Sequence, residues 1–188
     1  MKRKIEMRLS GDRSIFPQYL RVRRREKSNI TIMKEQHLYK VTTKWTGNNG
    51  TGTDNYRSYE RSHTIAMENK PDILCSSDPA FRGDSTRHNP EDLLVASVSS
   101  CHMLWYLHLC SEAGVIVLDY TDNATGIMDE DPDGGGRFTE VILNPVVVVA
   151  QDTMIDKANE LHKKANEFCF IANSLNFPVK HNPTAKAK

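Results

Sequence analysis

Two cysteines, Cys101 and Cys169, carry the side chains of this sequence that are best suited to redox chemistry. A thiolate attacks the O–O bond of a peroxide and becomes a sulfenic acid, which a second thiol converts to a disulfide before further oxidation. Cys101 lies in an almost uncharged stretch next to His102, and Cys169 ends an amphipathic stretch. A buried cysteine by itself is more typical of core packing. Nearby charged residues and the distant second thiol favour a redox role for Cys101, whose sulfenic acid Cys169 could condense with.

A thiolate in an apolar stretch needs a cation, because desolvation favours the neutral thiol. A guanidinium reverses that penalty, and a carboxylate holds the guanidinium in one orientation through a bidentate pair. Glu91, ten residues before Cys101, is the candidate carboxylate. Arg82 is the leading candidate for the guanidinium because its loop directly precedes the helix, and Arg61 and Arg57 remain open as alternatives.

The other two cysteines, Cys75 and Cys110, form no CxxC pair and have no nearby ligand spacing of the zinc type. We therefore predict no metal site and no cofactor. The acidic run DEDPDGGG lacks the terminal glutamate of a calcium loop and is predicted to be a solvated turn.

One helix is strongly indicated around Cys101. Asn89 is a favourable N-cap and Pro90 suits the first helical position, while Asp92 complements the positive end of the helix dipole. Gly114 is placed to end the helix. Because apolar residues occupy nearly every face, we expect other elements or a partner subunit to enclose this helix.

The flanking patterns predict strands and a second helix, and so an α+β fold. A first hairpin with a short third strand is expected before the helix, and a second hairpin and an amphipathic helix after it, with room for one short strand in the tail. The corresponding segments are 37–45, 56–67, 72–75, 115–128, 137–150 and 152–168.

Charge divides the chain unevenly. Residues 1–32 hold ten Lys/Arg and three Asp/Glu, whereas the net charge of all 188 residues is +1. We expect a basic, disordered extension at 1–32 and one domain at 33–188. Nucleic-acid binding through the extension stays open as an alternative function. No apolar run reaches the roughly eighteen residues of a membrane span, and no apolar signal core is present. We therefore predict no membrane partner and a cytoplasmic, reducing location.

Two motifs carry a resemblance to a known family. The stretch NPEDLLVASVSSCHMLWYLHLC resembles the reactive-cysteine helix of the OsmC/Ohr family of organic hydroperoxide reductases, and ANEFCFIANSL resembles its second cysteine motif. The resemblance covers roughly residues 37–179. It implies an OsmC-like α+β fold of two antiparallel β-hairpin sheets around two central helices in an intertwined homodimer. Implied roles are peroxidatic for Cys101, resolving for Cys169 and arginine-orienting for Glu91.

The resemblance also implies a function, an oxidative-stress peroxidase that reduces organic hydroperoxides with electrons from a dithiol such as a lipoyl protein. We predict substrate contacts for His102, Trp105 and Phe170. Two features depart from the family pattern: the early glycine-bearing loop GNNGTGTDN has no arginine, and Phe-Ile follows Cys169 where Pro-Val is commoner. A non-catalytic redox-sensing or ligand-binding module on the same scaffold is therefore the alternative.

Overall fold

A computed structural model describes residues 35–188, so the predicted extension at 1–32 lies outside the described residues. Over that described range there are two α-helices, three short 3₁₀ helices and nine β-strands. All of these elements belong to one compact unit, Tyr39–Lys188.

The first sheet is antiparallel and consists of β1 (Thr42–Trp45), β2 (His63–Ala66) and β3 (Ile73–Cys75), in that order. The first two strands are shorter than predicted: residues 37–41 are not part of β1, and turns and bends occupy most of the segment between β1 and β2. All four residues of β1 are exposed, and neither of the two hydrophobic core clusters contains a residue of this sheet. The first sheet therefore lies outside both core clusters of the described residues, and its buried residue Cys75 forms a bridge to His88.

Helix α1 (Pro90–Glu112) has the bounds that the sequence predicted. The side chain of Asn89 accepts a hydrogen bond from the backbone N–H of Asp92 at 2.7 Å, which satisfies one of the free donors of the first turn. At the other end Gly114 adopts a φ of +73°, the left-handed conformation that glycine tolerates best.

The same helix is long and apolar enough to cross a membrane by length and composition alone. From uninterrupted apolar runs alone we expected no segment of this kind. The serines and histidines scattered through α1 interrupt the run but leave its mean hydropathy high, so this expectation was wrong. Central helices of globular domains meet the same criterion. Here Val98, Tyr106 and Leu109 of α1 are buried in the core.

The predicted second hairpin forms with the predicted antiparallel pairing, but its two long strands are not continuous. Each long segment divides into two strands, β4 (Val117–Asp122) with β5 (Thr125–Glu130), and β6 (Gly136–Leu143) with β7 (Pro145–Val149). The strands then pair as β4 with β7 and β5 with β6, in two separate sheets. Asp122 holds the two breaks together, since its carboxylate accepts a hydrogen bond from the Asn144 backbone N–H at 2.7 Å.

The tail forms two strands where one was predicted. These are β8 (Val179–His181), parallel to β6, and β9 (Thr184–Ala187), parallel to β7. Asn182 lies between them, and its N–H donates to the Leu143 carbonyl at 2.8 Å. The two later sheets are therefore mixed and not purely antiparallel.

Helix α2 (Ile155–Phe168) follows a 3₁₀ turn at Asp152–Met154. One core cluster joins α1, α2 and β7, and a second joins α1 to β6. The predicted α+β class is thus confirmed, with α1 packed between α2 and the later sheets.

Candidate functional site

The two predicted redox cysteines meet in the folded chain. Cys101 lies in the middle of α1 and is half-buried, and Cys169 is the first residue after α2 and is fully buried. Both are free thiols, and their side chains interact although 68 residues separate them in sequence. Two helices thus place a reduced thiol pair in one location.

The surroundings of Cys169 hold it in the protonated form. Burial, followed by the interaction with the Cys101 thiol, raises the pKa of Cys169 to about 12. Two backbone N–H groups act in the opposite direction, those of Ala172, 3.4 Å from the sulfur, and Ile171. No charged side chain contributes to the shift.

Three aromatic side chains form what we call the aromatic rim: Trp105, Phe168 and Phe170. Trp105 stacks on Phe168 with ring centroids 5.1 Å apart and meets Phe170 edge-on at 5.6 Å. Phe168 and Phe170 are 43% and 63% exposed. Trp105 follows Cys101 by one helical turn, and the two phenylalanines flank Cys169, so the rim lies beside the thiol pair and is open to solvent. Phe168 was not predicted, although its place in Phe-Cys-Phe was a usable signal.

Glu91 is present in the first turn of α1, but no guanidinium accompanies it. One of its carboxylate oxygens is buried without a hydrogen-bond partner. Across residues 35–188 no arginine forms an ion pair with it. Arg82 ends a 3₁₀ turn with a φ of +66°, and its guanidinium lies 6.0 Å from the centre of the Tyr56 ring. The structure therefore places the leading candidate arginine against a tyrosine and not against Glu91.

The alternative arginines are also engaged elsewhere or exposed. Arg61 lies over the rings of Tyr56 and Tyr59, at 4.2 and 4.3 Å, and donates hydrogen bonds to the backbone carbonyls of the same two residues. Arg57 is exposed. Within one chain, the described residues bring the two thiols together but supply no cation to Glu91.

His102 lies in a histidine cluster with His162 and His181. His102 Nε2 is 3.0 Å from His162 Nδ1, both side chains are fully buried, and the His181 ring centroid is 5.8 Å from that of His102. Burial lowers the pKa of His102 to about 4 and that of His162 to about 3. A sealed, hydrogen-bonded ring does not fit the predicted substrate contact of His102.

The histidine cluster was missed at the level of sequence. The signal that could have revealed it is the buried stripe of α2, in which Ala158, His162, Ala165 and Cys169 follow at spacings of four, three and four. In the described part of the chain no three His, Cys, Asp or Glu side chains are arranged to hold a metal ion.

The side of α1 that carries Ser99 borders a groove of about 690 Å³, which we call the acidic groove. Ser99 on this side donates a hydrogen bond to the Asp122 carboxylate at 2.6 Å, which ties α1 to the end of β4. The groove combines acidic and apolar side chains: Asp78, Glu91, Asp92, Asp122, Val95, Met103, Met128 and Phe138.

Comparison with known proteins decides the family. The model of a family described as OsmC-like protein matches residues 83–184, more than half of the chain and both cysteine motifs. The chain belongs to the OsmC-like family. An OsmC-like protein of unknown function from Vibrio cholerae has 31% sequence identity to it and a TM-score of 0.70, over 79% of this chain and 99% of that one.

More distant solved structures share the OsmC-like fold. An organic hydroperoxide resistance protein from Elizabethkingia anophelis superposes with a TM-score of 0.58 at 19% identity, over 82% of this chain and 100% of that one. One from Legionella pneumophila gives 0.58 at 16% identity, over 80% and 99%. Among curated proteins, none matches this chain.

Proposed function

We propose that this OsmC-like protein reduces organic hydroperoxides with Cys101 as the attacking thiol and Cys169 as the resolving thiol. The observation that carries the proposal is the meeting of two free thiols from two different helices beside a solvent-open aromatic rim. Membership of the OsmC-like family and the hydroperoxide-resistance names of structural neighbours support it.

The reaction has two steps within the protein. The Cys101 thiolate attacks the outer oxygen of the peroxide, so that an S–O bond forms, the O–O bond breaks and an alkoxide leaves. The Cys169 thiol then attacks the sulfenic sulfur of Cys101, which forms the disulfide and releases water, and the alkoxide takes a proton from solvent to leave as the alcohol. A dithiol reductant of the lipoyl type restores both thiols by disulfide exchange.

The aromatic rim suits an apolar substituent on the peroxide. Trp105 and Phe170, which we predicted as substrate contacts, lie with Phe168 next to the thiols, and the rings of Phe168 and Phe170 are exposed. Burying such a surface against an alkyl or aryl group is favourable by about 25 cal/mol per Å². The rim would therefore select organic hydroperoxides over hydrogen peroxide.

A second copy of the chain would complete the site, as the predicted homodimer requires. The first sheet exposes Trp45 and Leu74, the acidic groove is open, and Glu91 has a buried oxygen without a partner. A guanidinium from a second copy would satisfy that oxygen and stabilise the attacking thiolate. Arg82 remains our first candidate for it, before Arg61 and Arg57.

The test is oxidation by cumene hydroperoxide with thiol variants. Wild type should consume peroxide and form one intramolecular disulfide. Cys169→Ser should stop at the sulfenic acid of Cys101, which dimedone traps, and Cys101→Ser should do neither. Cys75→Ser is the matched control, because Cys75 is equally buried but has no second thiol in contact.

Two outcomes would favour the other functions. Slow, equal oxidation of all four cysteines would contradict the peroxidase and leave the redox-sensing or ligand-binding module. Nucleic-acid binding that disappears on deletion of residues 1–32, while thiol chemistry is absent in both forms, would favour the basic extension as the functional element.

A further inference from the structure

One hydrogen bond between side chains joins α1 to the middle of α2. His102 Nε2 lies 3.0 Å from His162 Nδ1, and the planes of the two rings differ by only 6°. Tyr106, one turn after His102 on α1, stacks on the same His162 ring with centroids 3.8 Å apart. All three side chains are fully buried. His162 is therefore held by two neighbouring turns of α1.

Cys169 lies on the same buried stripe of α2 as His162, seven residues and about two helical turns later. Its side chain is fully buried, although Phe168 and Phe170 on either side of it are exposed. Trp105 of α1 contacts both phenylalanine rings. Because the sequence neighbours of Cys169 face solvent, this cysteine stays buried only while its end of α2 is packed in the core.

We propose that the His102–His162 pair is a pH-sensitive latch, which keeps Cys169 buried while both rings are neutral and exposes it to solvent when they are protonated. The latch makes the accessibility of this thiol depend on pH. The inference goes beyond the proposed peroxidase reaction, because it concerns only the exposure of a thiol and holds in the absence of a peroxide.

The hydrogen bond between the two imidazoles depends on their charge. In the neutral pair one nitrogen donates its N–H and the other accepts with its lone pair. A first proton keeps this bond but leaves a charge in the core. A second proton makes both facing nitrogens donors, which repel each other at 3.0 Å. Since opening moves the charged rings into water, acid favours the open form.

No opposite charge compensates a proton on this pair in the described part of the chain. His102 Nδ1 and His162 Nε2 are buried without a hydrogen-bond partner, and no carboxylate forms an ion pair with either ring. Burial, followed by the neighbouring histidines, lowers the pKa of His102 to about 4 and that of His162 to about 3.

The other titratable groups that face the pair are uncharged at neutral pH. The ring centroid of His181 in β8 is 5.8 Å from that of His102 and 6.5 Å from that of His162, and burial lowers the pKa of His181 too. Burial raises the pKa of Tyr106 and of Tyr120 in β4, whose ring centroid is 6.4 Å from that of His162. Both tyrosines therefore remain neutral phenols.

The charged residues of the surrounding elements lie away from the pair. Those of α1 are in its first and last turns, and those of α2 and β9 are exposed. Asp122 of β4 accepts hydrogen bonds from Ser99 and Asn144, and Lys180 of β8 pairs with Glu140 of β6. The buried residues of β6 and β7 next to the helices are apolar: Val141, Leu143, Val147 and Val149.

The experiment measures the initial rate at which N-ethylmaleimide alkylates each cysteine of the reduced protein, located by peptide mass spectrometry. Each rate is divided by that of N-acetylcysteine at the same pH. An exposed imidazole has a pKa of about 6.5, so the open form gains about 30-fold from pH 7.5 to pH 5 for each histidine that opening releases. The relative rate of Cys169 should rise by at least this factor, whereas Cys75 and Cys110, which are equally buried, should change less than about threefold.

Two variants remove a titrating ring. His162→Gln should reduce the rise at Cys169 by about 30-fold. His181→Gln keeps the His102–His162 hydrogen bond and should also reduce the rise, which keeps the test available if His162→Gln does not fold. His108→Gln is the matched control, since it removes a partly exposed imidazole from the same helix, and it should leave the rise unchanged.

Three results would overturn the latch: no rise at Cys169 in wild type, the same rise in both cluster variants as in wild type, or an equal rise at Cys75 and Cys110, which would mean that acid unfolds the whole domain. Peroxide takes no part in the measurement, so a failure of the proposed peroxidase would leave these results unaffected.

Discussion

Cys101 and His102 are neighbours in α1, yet they contact different residues from α2 and its C-terminal end. Cys101 is half-buried beside the exposed aromatic rim and meets the Cys169 thiol. His102 is fully buried and meets the His162 imidazole. One pair borders the exposed aromatic rim and the other is sealed in the core. The comparison shows that a turn of about 100° around one helix separates the side chain beside the exposed rim from one that only packs in the core.

The two pairs also differ in which charge they can accept. Burial disfavours both the thiolate and the imidazolium. The Cys169 sulfur receives two backbone N–H groups that favour an anion. In the histidine cluster, by contrast, a ring nitrogen of each of His102, His162 and His181 is buried with no hydrogen-bond partner. A thiolate on Cys169 would therefore meet hydrogen-bond donors, whereas protonation would disrupt the histidine cluster.

The largest expected effect comes from removing one member of the sealed pair. His162→Ala leaves a cavity and an unpaired His102, and should lower the free energy of unfolding by about 3 to 4 kcal/mol in urea titrations. Oxidation of Cys101 per folded molecule should change much less. His108→Ala, a partly exposed histidine of α1, should cost under about 1 kcal/mol. A variant with unchanged stability and no reactivity would instead place the histidines in the reactive site.

The second-largest effect should come from acidification, which should lower the stability that the buried His102–His162 pair contributes. The folded-state pKa values of His102 and His162, about 4 and about 3, lie below the unfolded value of about 6.5, so the unfolded chain binds more protons between these limits. Stability is then full above pH 6.5 and is lost as pH falls towards 4. We expect a loss of about 2 kcal/mol for each of the two histidines between pH 7.5 and pH 5. His162→Gln should flatten this profile, and an unchanged slope in that variant would contradict the assignment.

These contrasts show what the sequence could and could not supply. The α1 bounds followed from local signals, namely Asn89, Pro90 and Gly114. Both cysteines were predicted as site residues because their motifs are contiguous. The breaks at Asn123 and Asn144, and the parallel pairing of β8 and β9, depend on long-range hydrogen bonds that no local pattern reports.

In the candidate site, too, local sequence signals could be predicted and contacts between distant segments could not. The histidine cluster draws on α1, α2 and β8, so no single segment carries its signature. The orientation of Arg82 depends on the φ of +66° at that residue and on contact with Tyr56. Its proposed contact with Glu91 remains a prediction that depends on a second copy of the chain.

A smaller effect is expected on the side of α1 that borders the acidic groove. Ser99→Ala removes the 2.6 Å hydrogen bond to the Asp122 carboxylate and should cost about 1 to 2 kcal/mol of unfolding free energy. Ser100→Ala is the matched control, because Ser100 is exposed and bonds only to the Ser97 carbonyl of its own helix. Equal losses of unfolding free energy for the two variants in chemical denaturation would show that the Ser99–Asp122 hydrogen bond does not stabilise the fold.

The smallest expected effect concerns the rim. Phe170 is 63% exposed, so Phe170→Ala should leave stability nearly unchanged and raise KM for cumene hydroperoxide about threefold, with no change for hydrogen peroxide. Steady-state kinetics with both substrates checks this. A parallel change with both peroxides would mean that the ring does not contact the organic group.

The most direct test of the account is a map of the disulfide formed when the reduced protein receives one equivalent of cumene hydroperoxide. Peptide mass spectrometry under non-reducing conditions should find Cys101 joined to Cys169 within one chain, with Cys75 and Cys110 still reduced. A different pairing, or a Cys101 that proceeds to sulfinic acid while Cys169 stays reduced, would contradict it.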